Sequence, residues 1–282
     1  MPELYLLLPV HNRSQTTRRF LNCLKAQTFG DYHLLLIDDG STDGTAEMAR
    51  QIIPDLTLIN GSGDWWWAGS LQQGIDWLNR QKISDEDLIL MINDDVTFNP
   101  DFLELGVKQL QSMPGTLLLA EAVSAQTGRP LVSGVEADLK KWRFSPAESE
   151  DRINCLTTNG LFLRWKDLRQ IGGFHPRLLP HYNADYEFTM RAHRKGFRLR
   201  VSRDLRLVWD ETTTGFHRFN EMPFKTFLRQ YFSKKSLGNP LYHSAFVLLA
   251  CPALWIPIHL FKIWIGAMLT IGRRATQSGK PS

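Results

Sequence analysis

Carboxylates at the ends of apolar strands are the residues of this chain best suited to chemistry. Asn93, Asp94 and Asp95 follow a continuous apolar run at residues 88–92, and Asn99-Pro100 punctuates what comes after. Such a run reads as a parallel strand covered on both faces, and its carboxyl end is where open parallel sheets carry their ligand crevice. Acidic side chains there can hold a hard divalent cation, although the same residues also suit a turn and a helix cap. A second strand ends in IDDGSTDGT, which places Asp38 and Asp39 before a Gly-Ser turn and a helix start. Carboxylates in that place can accept hydrogen bonds from a nucleobase or from ribose hydroxyls, and the helix N-terminus favours phosphate. As pure structure they form a β-to-α loop with Asp43 or Thr42 as the cap. Farther along, Asp185 precedes a helix expected over residues 186–195, either as its cap or as an acid–base group.

The elements that must position these groups alternate. Strands are expected at residues 4–10, 32–37, 56–60 and 88–92, with helices at 13–27, 42–53 and 69–81 between them. That alternation predicts an α/β fold with a doubly wound, mostly parallel central sheet, helices on both faces and loops gathered at one edge. The middle is less regular: short strands at 117–123 and 131–135, a mobile surface loop at 140–154, an interrupted apolar strand at 155–164, and a strand at 198–201. From residue 244 to 271 the chain is almost wholly apolar, broken by Pro252, Pro257, His259 and Lys262 and flanked by Lys234-Lys235 and Arg273-Arg274. The favoured reading is helices lying in a membrane interface, ahead of a true span or hairpin and of soluble packing or contact in a homo-oligomer.

A chain of 282 residues, 43% hydrophobic, can bury a sizeable core. The net charge of +4 is unevenly spread, with basic clusters at residues 191–206 and 225–235 that suit a phosphate-bearing or anionic-membrane partner. No nucleic-acid motif accompanies them, so nucleic acid is not an expected partner. Cys23, Cys155 and Cys251 show no CxxC spacing, which argues against a zinc site or a disulfide framework and fits a reducing, cytoplasmic setting. The opening residues run directly into an apolar strand with no basic region or small-residue cleavage site, so no secretory signal is expected.

The ordered motifs LPVHNR, IDDGSTDGT, MINDDV, GGF and HYNADYEF resemble those of family 2 glycosyltransferases of the GT-A fold, over residues 4–209. The resemblance implies a catalytic region at 1–215, with a nucleotide-sugar half at 1–100 and an acceptor half at 101–215, and the apolar run beyond it reads as part of a helical membrane-associating extension at 216–282. It implies donor-binding roles for Pro9, His11, Asn12, Asp38, Asp39, Gly69, Asn93 and Asp94. Asn93 and Asp95 take the outer positions of a DxD-like motif, with Asp95 the ligand of Mn²⁺ or Mg²⁺ on the diphosphate. A hard cation bound by carboxylate oxygen stabilises the charge left on phosphate when a glycosyl bond breaks, and softer metals lack their thiolate or imidazole ligands here.

Asp185 aligns with the family's catalytic base and Glu187 with the acidic residue two positions on, while Ala184 replaces the glutamate usual just before the base. A carboxylate base that deprotonates an acceptor hydroxyl in one displacement inverts the anomeric centre. Trp65, Trp66 and Trp67 cannot all face one core, and an exposed indole among them could stack on a sugar. Trp66 and Trp67, together with Asn159, Gly160, His181, Tyr182 and Glu187, are the expected acceptor residues, with Thr157 and Thr158 beside them. Gln72 stands where the family often has asparagine. Trp209 stands where many relatives carry a metal- or diphosphate-contacting histidine, with Asp210, Glu211 and His217 nearby, and His217 is the candidate second ligand. The Trp pair followed by Ala-Gly narrows the likeness to rhamnosyltransferase-like members that build bacterial surface polysaccharides.

The expected activity is transfer of a sugar from a UDP-, dTDP- or GDP-linked donor to a glycan or lipid-linked acceptor at the cytoplasmic face of the inner membrane. Transfer onto polyprenyl phosphate and a non-catalytic sugar-nucleotide or glycan-binding module are the alternatives.

Overall fold

The computed structural model describes residues 2–132, 134–210, 212 and 222–278. Its centre is a nine-stranded sheet in the order β3-β2-β1-β4-β10-β6-β11-β5, with β7 on the edge of β6. The strands are β1 Leu4–Val10, β2 Tyr32–Asp38, β3 Thr57–Asn60, β4 Leu88–Met91, β5 Val96–Phe98, β6 Thr116–Ser124, β7 Pro130–Val132, β10 Leu161–Arg164 and β11 Arg198–Trp209. β3, β2, β1 and β4 run parallel, and β11 runs parallel to β6. β10 is inserted antiparallel between β4 and β6, and β5 runs antiparallel to β11. The expected mostly parallel α/β sheet is therefore present, with β10 as its principal reversal.

Alternation along the strands sends side chains to two cores. Leu7, Leu35, Ile37, Ile89 and Met91 face one side, where helices α3 (Trp66–Asn79), α5 (Trp165–Ile171) and α6 (Ala184–Arg194) cover them. Leu6, Leu8, Leu34, Leu36 and Leu90 face the other, beneath α1 (Ser14–Lys25), α2 (Thr45–Ile52) and α4 (Phe102–Gln111). Burial on both faces explains why these strands read as unbroken apolar runs rather than as polar–apolar alternation.

Residues 140–154, expected as a mobile loop, instead hold half of a hairpin, β8 Val135–Asp138 with β9 Arg143–Pro146, and a 3₁₀ turn at Glu150–Arg152. The mixed charges concealed two aromatic anchors: Phe144 stacks on Tyr186, and Trp142 packs edge-on against Phe246. The apolar C-terminal run divides at Cys251-Pro252 into α8 (Pro240–Ala250) and α9 (Ile256–Ser278), with α7 (Phe224–Tyr231) before them. Asn239 caps α8 by accepting from the Leu241 N–H at 3.0 Å, ahead of Pro240 at the first helical position. Phe246 and Ala250 of α8 join the core beneath α6, and Arg194 of α6 donates to the carbonyls of Leu249 and Ala250. Residues Ala253–Thr276 make a helical stretch long and apolar enough to cross a membrane, and 11% of its apolar 18-residue window is buried in the protein.

Candidate active site

Register brings the candidate residues to one edge. Val10 pairs with Asp38 and Leu7 with Met91, so β1, β2 and β4 end side by side and deliver His11, Asp39 and residues 93–95 together. Because β10 runs backwards, its first residue, Leu161, pairs with Met91, which brings the preceding residues 157–160 to the same edge. β11 pairs Trp209 with Val96, setting its indole beside Asp95. These ends surround a cavity of about 580 Å³ whose wall includes Pro9, His11, Asp39, Trp66, Trp67, Asn93, Asp94, Asp95, Thr157, Thr158, Asn159, His181, Tyr182 and Asp185.

The acidic triplet divides its work. Asn93 Oδ1 accepts from the Trp67 indole N–H at 2.9 Å, and the Asn93 main-chain N–H donates to Asn159 Oδ1 at 2.9 Å. Asp94 is buried and held from two sides, by the Thr17 hydroxyl at 2.7 Å and by Arg13 Nε at 2.8 Å. Burial raises the Asp94 carboxyl above its ordinary value, and Arg13 and Thr17 oppose that rise. Asp95 keeps one buried carboxylate oxygen with no hydrogen-bond partner, while the other lies 3.6 Å from Arg13. Burial, reinforced by the Asp94 charge and opposed by Arg13, pushes Asp95 up to about 6.

Asp185 stands in the first turn of α6. The helix follows Asn183, whose left-handed φ of 66° suits asparagine and turns the chain into it. Asp185 does not accept a capping bond at the helix start; its Oδ1 takes the N–H of the next residue, Tyr186, at 2.9 Å. Burial raises its carboxyl to about 6, against the lowering effect of the backbone N–H groups. A carboxylate poised there is matched to taking a proton near neutral pH. His181, close by, is pushed down to about 4 by burial and by the charge of Lys235, so it is neutral at pH 7. Its ring meets those of Trp66 and Tyr182 edge-on.

Several expected site residues support the cavity from behind rather than line it. Asp38 Oδ1 accepts from the Ser41 N–H at 2.8 Å, and Asn12 Oδ1 accepts from the Thr42 N–H at 2.8 Å, so both tie loops together behind the cavity. Glu187 is buried in an ion pair with Arg191 at 2.9 Å, and Arg191 also donates to the carbonyls of Ile171, Gly172 and Gly173. Gly69 lies within α3, where a Cβ would come within 3.1 Å of Trp65 Cβ. Gly160 has a φ of +86°, and a Cβ there would meet Leu207 at 2.4 Å. The cavity wall includes none of these five. Asp39 does line the cavity, yet its carboxylate is committed to the N–H groups of Gly63 (2.8 Å) and Trp66 (2.9 Å). The second of these bonds steadies Trp66 at a φ of 59°, a conformation bulky residues seldom adopt outside a constrained site. His217 and Glu211 lie outside the described residues.

Sequence reasoning passed over Arg13 and Lys235. Arg13 stands inside the LPVHNR motif, and a search for a cation to balance Asp94 and Asp95 would have singled it out. Lys235 comes from the turn between α7 and α8, and only the tertiary fold brings it to the cavity. Among the described residues, no group of three His, Cys, Asp or Glu side chains forms a metal cluster. The cavity nonetheless presents Thr158 Oγ1, Asn159 Nδ2 and His181 Nδ1, buried and without protein partners, and beside them Asp95 Oδ1 and Trp209 Nε1, which form no hydrogen bond of normal geometry although the indole lies near enough to lower the Asp95 carboxyl. Buried polar atoms in that state are costly unless a ligand or water satisfies them, and here they converge on one space.

The chain is 24% identical over 213 residues to glycosyltransferase AglE of Haloferax volcanii, a match covering 73% of this chain and 66% of that protein's length. Its fold is similar to that of S. aureus TarS, with a TM-score of 0.60 at 17% identity over 93% of this chain and 54% of TarS. It is also similar to the mannosyltransferase PcManGT from Pyrobaculum calidifontis, solved with GDP-Man and Mn²⁺, with a TM-score of 0.56 at 17% identity over 98% of this chain and 83% of that one. The model of glycosyl transferase family group 2 matches residues 88–272. The model of glycosyl transferase family 2 matches residues 5–161, more than half of the chain and the whole strand edge that holds Asp39 and Asp95, so the chain belongs to glycosyl transferase family 2.

Proposed function

We propose that the chain is an inverting, metal-assisted glycosyltransferase that moves a sugar from a nucleoside diphosphate donor to a hydroxyl of a glycan or lipid-linked acceptor. The observation that carries this reading is the pairing, in one cavity, of a raised Asp185 carboxylate with a partnerless Asp95 oxygen. In this reading Asp185 removes the proton from the acceptor hydroxyl as its oxygen attacks the anomeric carbon from the face opposite the leaving group. One displacement then inverts the centre without a covalent glycosyl enzyme.

The side chains present fit a hard cation. Asp94 is committed to Arg13 and Thr17, which leaves Asp95 as the carboxylate ligand, and Mg²⁺ or Mn²⁺ needs only one or two carboxylates when substrate phosphates complete its shell. Bound there, the ion would supply Lewis-acid stabilisation of the departing diphosphate. Lys235 adds a cationic side chain to the wall for the same developing charge. His181, neutral and edge-on to Trp66, can share a hydrogen bond with a sugar hydroxyl. UDP-, dTDP- and GDP-linked sugars are the candidate donors, rhamnose among the candidate sugars, and bacterial surface polysaccharide at the cytoplasmic face of the inner membrane the candidate setting. The structures of similar fold solved with GDP-Man, in PcManGT, and with UDP-GlcNAc, in residues 1–349 of TarS, support the donor class, and the apolar C-terminal helix supports attachment to a membrane.

The test is a panel of nucleotide sugars with and without Mn²⁺, read first by thermal shift and then by release of nucleoside diphosphate. A donor that stabilises the protein only with Mn²⁺ and turns over to a product of inverted configuration supports the reading. Binding without any turnover, or a product of retained configuration, overturns it.

A further inference from the structure

We infer that α8 and α9 form a docking face for an anionic lipid bilayer, with α9 lying in the plane of the interface instead of crossing it. The inference deepens the membrane attachment proposed above and does not depend on the transfer chemistry.

The charge of the chain is sharply divided. Residues 222–282 hold eight of its 33 lysines and arginines and none of its 29 acidic residues, so the remaining 221 residues are net negative while this segment is strongly positive. An acid-free segment is complementary to anionic headgroups and keeps an acidic catalytic region from being repelled.

The helix also has two opposed faces. Leu254, just ahead of it, and Ile258, Phe261, Met268 and Leu269 along it are 42–80% exposed and recur at helical spacing along one stripe. On the opposite side His259, only 2% exposed, sets its Nε2 at 2.7 Å from the Leu139 carbonyl and lies against Trp142. Farther along the same side, Ala267 and Ile271 pack on Phe227 and Tyr231, and Arg274 donates to the Met222 carbonyl and covers the Phe227 ring. Lys262 and Arg273 are exposed and flank the apolar stripe. Exposed Leu241 and Leu248 extend the same apolar character onto α8.

This arrangement decides between lying and crossing. From His259 to Arg274 the helix runs about 22 Å, and it is fastened at both ends of that stretch, to Leu139 of the catalytic region at one and to Met222 and α7 at the other. A bilayer crossing would have to strip off both attachments and carry a buried histidine and an arginine into lipid, whereas an in-plane position leaves them in place and buries the exposed stripe. The length and hydropathy that would permit a span are equally those of an interfacial helix with one face on protein.

The full chain, purified in detergent and then diluted, is tested for cosedimentation with vesicles of phosphatidylcholine alone and of phosphatidylcholine with phosphatidylglycerol. At least tenfold tighter binding to the anionic vesicles, weakened by high salt, is expected. Phe261→Glu combined with Met268→Glu should lower vesicle binding by more than tenfold while leaving the thermal midpoint and any donor turnover intact. Orientation is read with Ala275→Cys and a membrane-impermeant maleimide added outside sealed vesicles, the parent chain serving as the blank. Labelling from the outside supports the in-plane helix, and protection until the vesicles are opened overturns it. Equal binding to neutral and anionic vesicles overturns the charge argument. A stable dimer in solution that the double variant dissociates, with no vesicle binding, would assign the face to a second copy of the chain instead.

Discussion

Replacing Asp185 with asparagine is expected to abolish transfer and at the same time to stabilise the ligand-free protein. The carboxyl is raised from 3.8 to about 6 because burial disfavours its charged form. The folded protein therefore holds this proton at pH values where the unfolded chain has lost it. That favours folding below pH 4, and the contribution is lost as pH rises through 6. Each unit of such a shift corresponds to about 1.4 kcal/mol, giving an upper bound of about 3 kcal/mol, and the access of cavity water to the group reduces this to about 1–2 kcal/mol. Asparagine keeps the shape and removes the penalty. For a chain of this size the gain raises the thermal midpoint by roughly 2–8 °C at pH 7.5, and the difference should shrink towards zero by pH 4. Loss of a general base lowers turnover by about 10²–10⁴-fold. Differential scanning fluorimetry across pH 4–8, alongside nucleoside diphosphate release, measures both. A variant destabilised equally at every pH, or one that keeps wild-type turnover, would refute the assignment of Asp185 as a strained, functional carboxylate.

Four further outcomes are expected. Asp95→Asn should remove the Mn²⁺-dependent part of nucleotide-induced thermal stabilisation while leaving the fold intact, as judged by circular dichroism. Because Asp95 is also raised to about 6, Mn²⁺ affinity should fall by about tenfold per pH unit below 6, which calorimetry at pH 5, 6 and 7 would show. Glu187→Ala should cost about 3 kcal/mol in urea denaturation by leaving Arg191 unbalanced, without specifically raising KM for the donor. Lys235→Met should weaken binding of nucleoside diphosphate more than that of the matching nucleoside, with Lys235→Arg restoring part of the difference.

The parallel half of the fold is written plainly in the chain. Strands 4–10 and 32–37 were read to within a residue of β1 and β2, because burial on both faces demands uninterrupted apolar runs. The second half is harder for a physical reason. β5 is three residues long and α5 seven, too short to show a period, and α4 carries Gly106 in its interior, where Phe162 packs against it. β11 extends eight residues past its expected end because an irregularity between Ser202 and Arg206 breaks its alternation. At the site, carboxylate identity was legible but division of labour was not. Nothing in NDD says that Thr17 and Arg13, both on the α1 side, would occupy Asp94 and leave Asp95 open. Likewise Glu187 looks like an acceptor contact by position, and only the arginine one helical turn on reveals that its carboxylate is already spoken for.

The reversed strand β10 has a consequence for how this protein can be cut and built. It is bonded on one side to β4 and on the other to β6, so it rivets the amino-terminal strands to the carboxyl-terminal ones. A fragment ending near residue 100 would leave β4, wholly apolar, as a naked sheet edge that invites pairing with other chains. On the ribosome the same edge stays open until residue 164 has emerged. Chimeras that exchange an acceptor half for another should therefore keep β10 with its original β4, and place the junction outside the sheet.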